Sequence, residues 1–456
     1  MFIYLVATCL VCVVIGLSLR RSAFGILLAA TLIWFLIGAC LYPLFDLLRL
    51  VERGEEVSAF IALNGEPGLM TATHILLMAT GMACGYLYRP HTGVSERAVR
   101  WIGVRLAAGD DLAIWRASVL LGIGAYILYF SLVGLDTALI NAAAARGGDF
   151  EGFGEKDAYL FIKTVAAVGL VSICFVSLAL LRKSWWFSLL YFVLLAMAYT
   201  NSISRNLLLY GGLVPLLVYV RLRGDLRRRG GGKHTYVMAL ALIPLALLVL
   251  NYGKVMGHYI SAYMSGDYYS LTEEVGEISQ LDVLLNNFGF QWASVQAGID
   301  HFLATARPFF PQEHFLAALF GAIPSRVLNA LGLDALYYGK VSATLACVNS
   351  QAFGYVECTV PPLSVGYSAY LLPGAGGFLV GYVWLRIYVA IERLWLALQQ
   401  HNWHKLWIPY FMWSLVVNFF TFIPSSLAVS MAQLLWLVLL SNLRLKPLYA
   451  PMPSKR

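Results

Sequence analysis

In the stretch TNSISRNLLLYGG (Thr200–Gly212), Arg205 stands between two apolar runs, each long enough to enter a bilayer. An unpaired guanidinium in hydrocarbon is costly, so this side chain must either reach water or face a polar cavity. Arg205 has no acidic residue within several positions, and its connection is very short. Other cations fall on connections of the same parity. Arg146 lies in NAAAARGGDFEGFGEKD, Lys163 about one turn inside the next apolar run, Lys254 in NYGKVMGHY, and Arg307 and Arg326 farther along. Guanidinium forks match phosphate oxygens bidentately, and a basic cluster in a low-dielectric cleft holds a diphosphate strongly. These residue types suit an anionic ligand such as a lipid-linked sugar diphosphate. Each also has a plainer reading: Arg146 and Arg326 can pair with Asp149, Glu151 or Asp334, and Lys163 can snorkel.

Proton acceptors are scarce on the same connections. His258, His301, Glu313 and His314 are the candidates, the histidines favoured because imidazole titrates near neutral pH. Each of them is equally readable as a solvated loop residue. Phe288, Phe290, Trp292, Tyr337 and Tyr338 could stack on sugars or form an interfacial belt. Cys347 and Cys358 bracket CVNSQAFGYVEC. On an oxidising face they are expected to form a disulfide, which in the chain-entropy treatment is worth up to about 3 kcal/mol. Two unrelated thiols are the alternative. Cys9, Cys12, Cys40, Cys84 and Cys174 fall in apolar runs and are expected to be inert.

The elements that must position these residues follow from composition. The 456 residues are 60% hydrophobic and 12% charged, with a mean hydropathy of +0.73. A soluble domain carries roughly twice that charged share, so the chain reads as one all-α, polytopic membrane domain. About eleven spans are expected, near 2–19, 24–44, 69–88, 113–134, 159–181, 185–202, 205–221, 235–252, 366–390, 408–425 and 427–443. The first has no basic n-region or cleavage site and is expected to be retained as a helix. Arg20 and Arg21, Arg97 and Arg100, Arg182 and Lys183, Arg227 to Arg229, Arg393 and Lys405, and Arg444 and Lys446 all fall on alternate connections. The positive-inside rule then predicts the N-terminus outside and the C-terminus inside. The long connection, 253–365, becomes extracytoplasmic, with prolines at 308, 311 and 324 dividing it into short interfacial helices. The net charge of +8 is explained by lipid-facing loops and calls for no nucleic acid. Nothing resembles a phosphate-binding glycine loop, a CxxC pair or an HExxH helix.

Three segments carry a family likeness. SISRNLLL, ARPFFPQEHFLAALFGAIPSRVLN and SVGYSAYLLPGAGGFLVGYVWLR resemble motifs of the bacterial O-antigen or oligosaccharide repeat-unit polymerases of the Wzy type, over about residues 140–390. Ser325 between Pro324 and Arg326 departs from that pattern. The resemblance implies a glycosyltransferase of the bacterial inner membrane acting on undecaprenyl-diphosphate-linked oligosaccharides, without metal or cofactor. Arg205, Arg146, Lys254 and Arg326, with Arg307 and Lys163, would hold the diphosphate. A flippase and a chain-length regulator would be pathway partners. An O-antigen ligase would share these features. A transporter or flippase of lipid-linked sugars is the reading from another class, supported by Pro215, Pro244, Pro373 and the Gly374–Gly377 stretch.

Overall fold

The computed structural model describes residues 1–47, 68–88, 94–134, 157–180, 280–309, 325–333, 345–352, 362–401, 403–420 and 424–442, with isolated positions between them. All regular structure among these residues is helical. In chain order the helices are α1 (Phe2–Arg21), α2 (Gly25–Phe35), α3 (Tyr42–Leu47), α4 (Leu69–Leu87), α5 (Val94–Ala107), α6 (Asp111–Val133) and α7 (Asp157–Leu180). They continue with α8 (Gln280–Thr305), α9 (Ser325–Ala330), α10 (Leu345–Ala352), α11 (Leu363–Leu371), α12 (Ala375–His401), α13 (Trp407–Phe419) and α14 (Pro424–Asn442). A π-helical segment, Leu36–Leu41, joins α2 to α3, and a 3-10 turn, Trp403–Leu406, leads into α13.

Among the described residues five helical segments are long and apolar enough to cross a membrane: Phe2–Arg21, Gly25–Leu44, Leu69–Leu87, Asp111–Val133 and Ala375–Gln399. The chain is a helical membrane protein. On α1, Tyr4, Ala7, Val11, Val14 and Ser18 form a buried stripe, while Leu5, Val13 and Leu17 lie exposed on other faces. That is the pattern of a span with one side on protein and the other on lipid. The expected spans at 185–202, 205–221 and 235–252 lie outside the described residues.

Two of the sequence boundaries change. The span expected at 366–390 is two helices: short α11 ends at Leu371, and α12 starts at Ala375 after a turn at Pro373–Gly374. Gly374 has φ 75°, a conformation that disfavours side chains and lets the chain turn abruptly. The long connection also contains α8, a helix of 26 residues, besides short ones such as α9 and α10. Hydropathy does not reveal α8, because Gln291, Gln296 and Asp300 dilute its apolar residues. It nevertheless packs into the bundle. Trp292 is fully buried, donates from Nε1 to Tyr4 Oη at 3.2 Å, and lies 6.5 Å from the Tyr42 ring. Gln291 donates to the Trp34 carbonyl at 3.0 Å, just before the π segment. An outside donor at that point helps the backbone ladder shift from α to π pairing.

Backbone contact sets the centre. In α4, Gly81 and Gly85 are four residues apart, as are Gly377 and Gly381 in α12. A Cβ on Gly81 would fall 2.1 Å from the Phe378 carbonyl oxygen, one on Gly85 2.5 Å from that of Tyr382, and one on Gly381 2.4 Å from that of Met78. The α6–α7 pair repeats the device with single glycines, a Cβ on Gly169 falling 2.4 Å from Gly122 Cα. Such close approach is how helices gain dispersion contact in lipid, which offers no hydrophobic drive between them.

One end of the bundle is sewn by ion pairs. Glu392 is fully buried, 3.3 Å from Arg21 Nε, and accepts from Ser22 Oγ at 2.9 Å. Arg393 pairs with Glu96 at 2.7 Å. Lys405 meets Asp111 Oδ1 at 2.7 Å, and Trp407 Nε1 donates to the same oxygen at 3.0 Å. Arg20, Arg97, Arg100 and Arg105 belong to the same end; Arg182, Lys183, Arg227 to Arg229, Arg444 and Lys446 lie outside the described residues.

Gly81→Leu should therefore destabilise the protein by about 2–4 kcal/mol, since the added atoms meet fixed backbone. Gly16→Ala, where a Cβ meets nothing within 4 Å, should be neutral or slightly stabilising. Unfolding curves in detergent check both. Lys405→Met should cost about 3–5 kcal/mol by stranding a buried carboxylate, and Asp111→Asn in the same chain should restore part of it.

Candidate functional site

At the opposite end, α4, α8, α10, α11 and the start of α12 bring polar side chains together within an apolar bundle. Thr71 and His74 are three residues apart, on one face of α4. His74 Nδ1 accepts from the Gly374 N–H at 2.8 Å, and Nε2 lies 2.8 Å from Ser368 Oγ. A backbone N–H can only donate, so Nδ1 carries no proton and Nε2 does. Ser368 Oγ accepts from Nε2 and passes its own proton to the Val365 carbonyl at 2.6 Å. His74 and Ser368 look like a nucleophile and its base, but the proton order runs the wrong way for that. The pair is a clasp fixing α11 and the Pro373–Gly374 turn against α4. Gly377 leaves room for the ring, as a Cβ there would stand 2.8 Å from the His74 carbonyl and 3.1 Å from the ring.

A second chain crosses from α8 to α11. Asn349 on α10 donates to Ser294 Oγ at 3.1 Å and accepts from Tyr370 Oη at 3.1 Å. Asn349, Ser294 and Tyr370 are all fully buried. A third runs outward along α8: Thr71 Oγ1 donates to Gln296 Oε1, and Gln296 Nε2 donates to Asp300 Oδ1 at 3.0 Å. Asp300 is exposed.

The rim holds two residues singled out by sequence. His301 is half-buried, its ring centroid 5.4 Å from Tyr370 and 5.8 Å from Phe309. Partial burial disfavours the imidazolium and lowers its pKa below the usual 6.5. Phe309 N–H donates to the Tyr370 carbonyl at 3.0 Å, tying the segment after α8 to the end of α11. Arg307 lies on that segment, exposed, after Ala306 in the left-handed region at φ 51°. The fold thus brings an exposed carboxylate, an imidazole and a guanidinium to one edge. The first two can accept a proton, and the third can bind an anion.

Other expected residues fall elsewhere. Lys163 is half-buried on α7, its ammonium 5.9 Å from the centre of the Tyr129 ring, so it belongs to the α6–α7 pair. Arg326 and Cys347 are carried by α9 and α10, but their side chains lie outside the described residues. So do Arg146, Arg205, Lys254, His258, Glu313, His314 and Cys358, and with them the Cys347–Cys358 pairing. Cys9, Cys12, Cys40 and Cys84 are free thiols. Among the described residues no group of three or more His, Cys, Asp or Glu side chains is placed to hold a metal ion.

Sequence reasoning missed His74 and Asp300. His74 is one polar residue in an apolar run. Asp300 had a visible signal, a carboxylate beside His301 and four residues after Gln296, but α8 itself was not legible. No protein-family model matches the chain, and no curated protein or solved structure matches it.

Ser368→Ala removes the acceptor for His74 Nε2–H and should destabilise the protein by about 1–3 kcal/mol. Thermal unfolding should show the same loss at pH 7 and pH 8, because the neutral imidazole needs the acceptor at both.

Proposed function

We propose that the chain is a membrane glycosyltransferase that joins undecaprenyl-diphosphate-linked oligosaccharide repeat units into a surface polysaccharide. The reaction would take place on the outer face of the bacterial inner membrane. In this reading the N-terminus is outside, the C-terminus inside, and the Asp300–His301–Arg307 edge faces outward. The observation that carries it is the position of that edge, at the bundle end opposite the ion-paired basic connections. The motif resemblance supplies the reaction class.

A hydroxyl at the non-reducing end of the incoming unit attacks the anomeric carbon of the growing chain. The new C–O bond forms as the bond to the lipid diphosphate breaks, and the diphosphate leaves with the electron pair. His301 or Asp300 takes the hydroxyl proton. Arg307, and from the sequence Arg205, Arg146, Lys254 and Arg326, stabilise the charge on the leaving diphosphate. A flippase would supply the substrate and a chain-length regulator would set the product's size.

The break between α11 and α12 favours one second reading, a transporter of lipid-linked sugars, since transporters build sites at broken helices. The clasp of His74 and Ser368 on that break is evidence for a fixed turn rather than a moving one.

The test is the length distribution of the surface polysaccharide in a deletion strain complemented with variants. The deletion should leave a single repeat unit, and Arg205→Ala or Asp300→Asn at normal protein level should fail to restore long chains. Long chains that persist on undecaprenyl diphosphate but miss their final acceptor would indicate a ligase. An unchanged ladder would sink the polymerase reading. With His301 as the base, activity should fall with acid below the ordinary imidazole range, because the lowered pKa keeps the ring neutral until then. That limb should vanish in His301→Gln.

A further inference from the structure

The α4–α6 connection holds a helix that does not cross the bundle. Just before α5, the Tyr88 carbonyl accepts from Arg386. Just after it, the Gly109 carbonyl accepts from Lys405 at 2.5 Å. Both anchors lie at the ion-paired end, so α5 runs across that end. One face is committed to α12: Val99 and Leu106 are buried, a Cβ on Gly103 would come 2.8 Å from Leu394 Cδ2, and Glu96 holds Arg393 at 2.7 Å. The opposite face shows Arg97, Arg100, Trp101, Val104 and Arg105, all exposed. Trp101 and Val104 are each 64% exposed, and the Arg105 guanidinium sits 5.5 Å over the Trp101 ring.

An exposed indole and valine beside spanning helices are at home in the headgroup layer, where apolar bodies are covered and polar edges stay wet. Three guanidiniums share that face, and the helix's one acid, Glu96, is already paired with Arg393. Among the described residues no acid is paired with these three guanidiniums, and a helix lying across the end of the spans would hold them near lipid phosphates. Arg105 stacked on Trp101 keeps one fork at the level of the ring.

We propose that α5 is an interfacial helix whose outer face binds anionic phospholipid headgroups, with Arg97, Arg100 and Arg105 gripping phosphate oxygens and Trp101 fixing the depth. The partner is the negatively charged lipid of the bilayer around the protein. The proposal stands apart from the glycosyltransferase reading.

The test uses the full chain reconstituted in phosphatidylcholine bilayers, with a trace of spin-labelled phosphatidylglycerol or spin-labelled phosphatidylcholine. The motionally restricted fraction of each label reports its residence at the protein. Phosphatidylglycerol should be preferred by about threefold, a modest value for partly screened interfacial charges. The R97Q/R100Q/R105Q variant should bring the ratio close to one while its restricted phosphatidylcholine fraction stays at the parental level, which reports an intact perimeter. R97K/R100K/R105K should keep most of the preference. If the glutamine variant does not reconstitute, R100Q alone should give an intermediate ratio. A parental ratio of one, or glutamine variants that keep the parental preference, would overturn the assignment.

Discussion

The structure rests on the contact of α4 with α12, where two pairs of glycines let carbonyl oxygens of one helix approach the backbone of the other. In water, such a pair would be held chiefly by removing apolar surface from solvent. In lipid that drive is missing between spans, and association depends on dispersion at close range and on polar links. The absence of side chains at Gly81, Gly85, Gly377 and Gly381 allows the first of these. The axis so formed fixes how far apart everything attached to α4 and α12 can be.

Polar links then fix both ends of the axis. At one end are charged pairs: Arg21 with Glu392, Arg393 with Glu96, Lys405 with Asp111. At the other are neutral hydrogen bonds, with His74 spanning Ser368 and the Gly374 N–H. The difference has consequences. Glu392, Lys405 and Asp111 are buried, and losing the partner of a buried charge is costly. The neutral end includes a chain that surfaces, from Thr71 through Gln296 to Asp300. Its last carboxylate, that of Asp300, is the exposed member.

Legibility differed by element for physical reasons. The spans expected at 2–19, 24–44, 69–88 and 113–134 match α1, α2 with its π segment, α4 and α6, because bilayer thickness imposes a length that composition displays. α8 was hidden because Gln291, sheltered by protein, and Asp300, at its exposed end, interrupt the apolar run that hydropathy looks for. The break at Gly374 was hidden inside an apolar run, since Pro373 and Gly374 are also tolerated within spans. At the rim, His301 and Arg307 were readable by residue type. His74 was not, because a single imidazole in an apolar helix gives no hint of its partners.

The sequence alone determined that this chain is a helical membrane protein and where several spans run. Those properties come from local composition meeting a solvent of fixed thickness. Only the tertiary structure decided that Ser368 and Gly374 hold His74 in one protonation order, and that His301 packs on Tyr370 and Phe309 beside the segment that carries Arg307. It also decided which face of α5 remains uncovered. On a helix in lipid, the side facing protein and the side facing hydrocarbon can both be apolar. Periodicity therefore carries no record of which neighbour each face will meet, and that is settled only when the glycine seams bring the helices together.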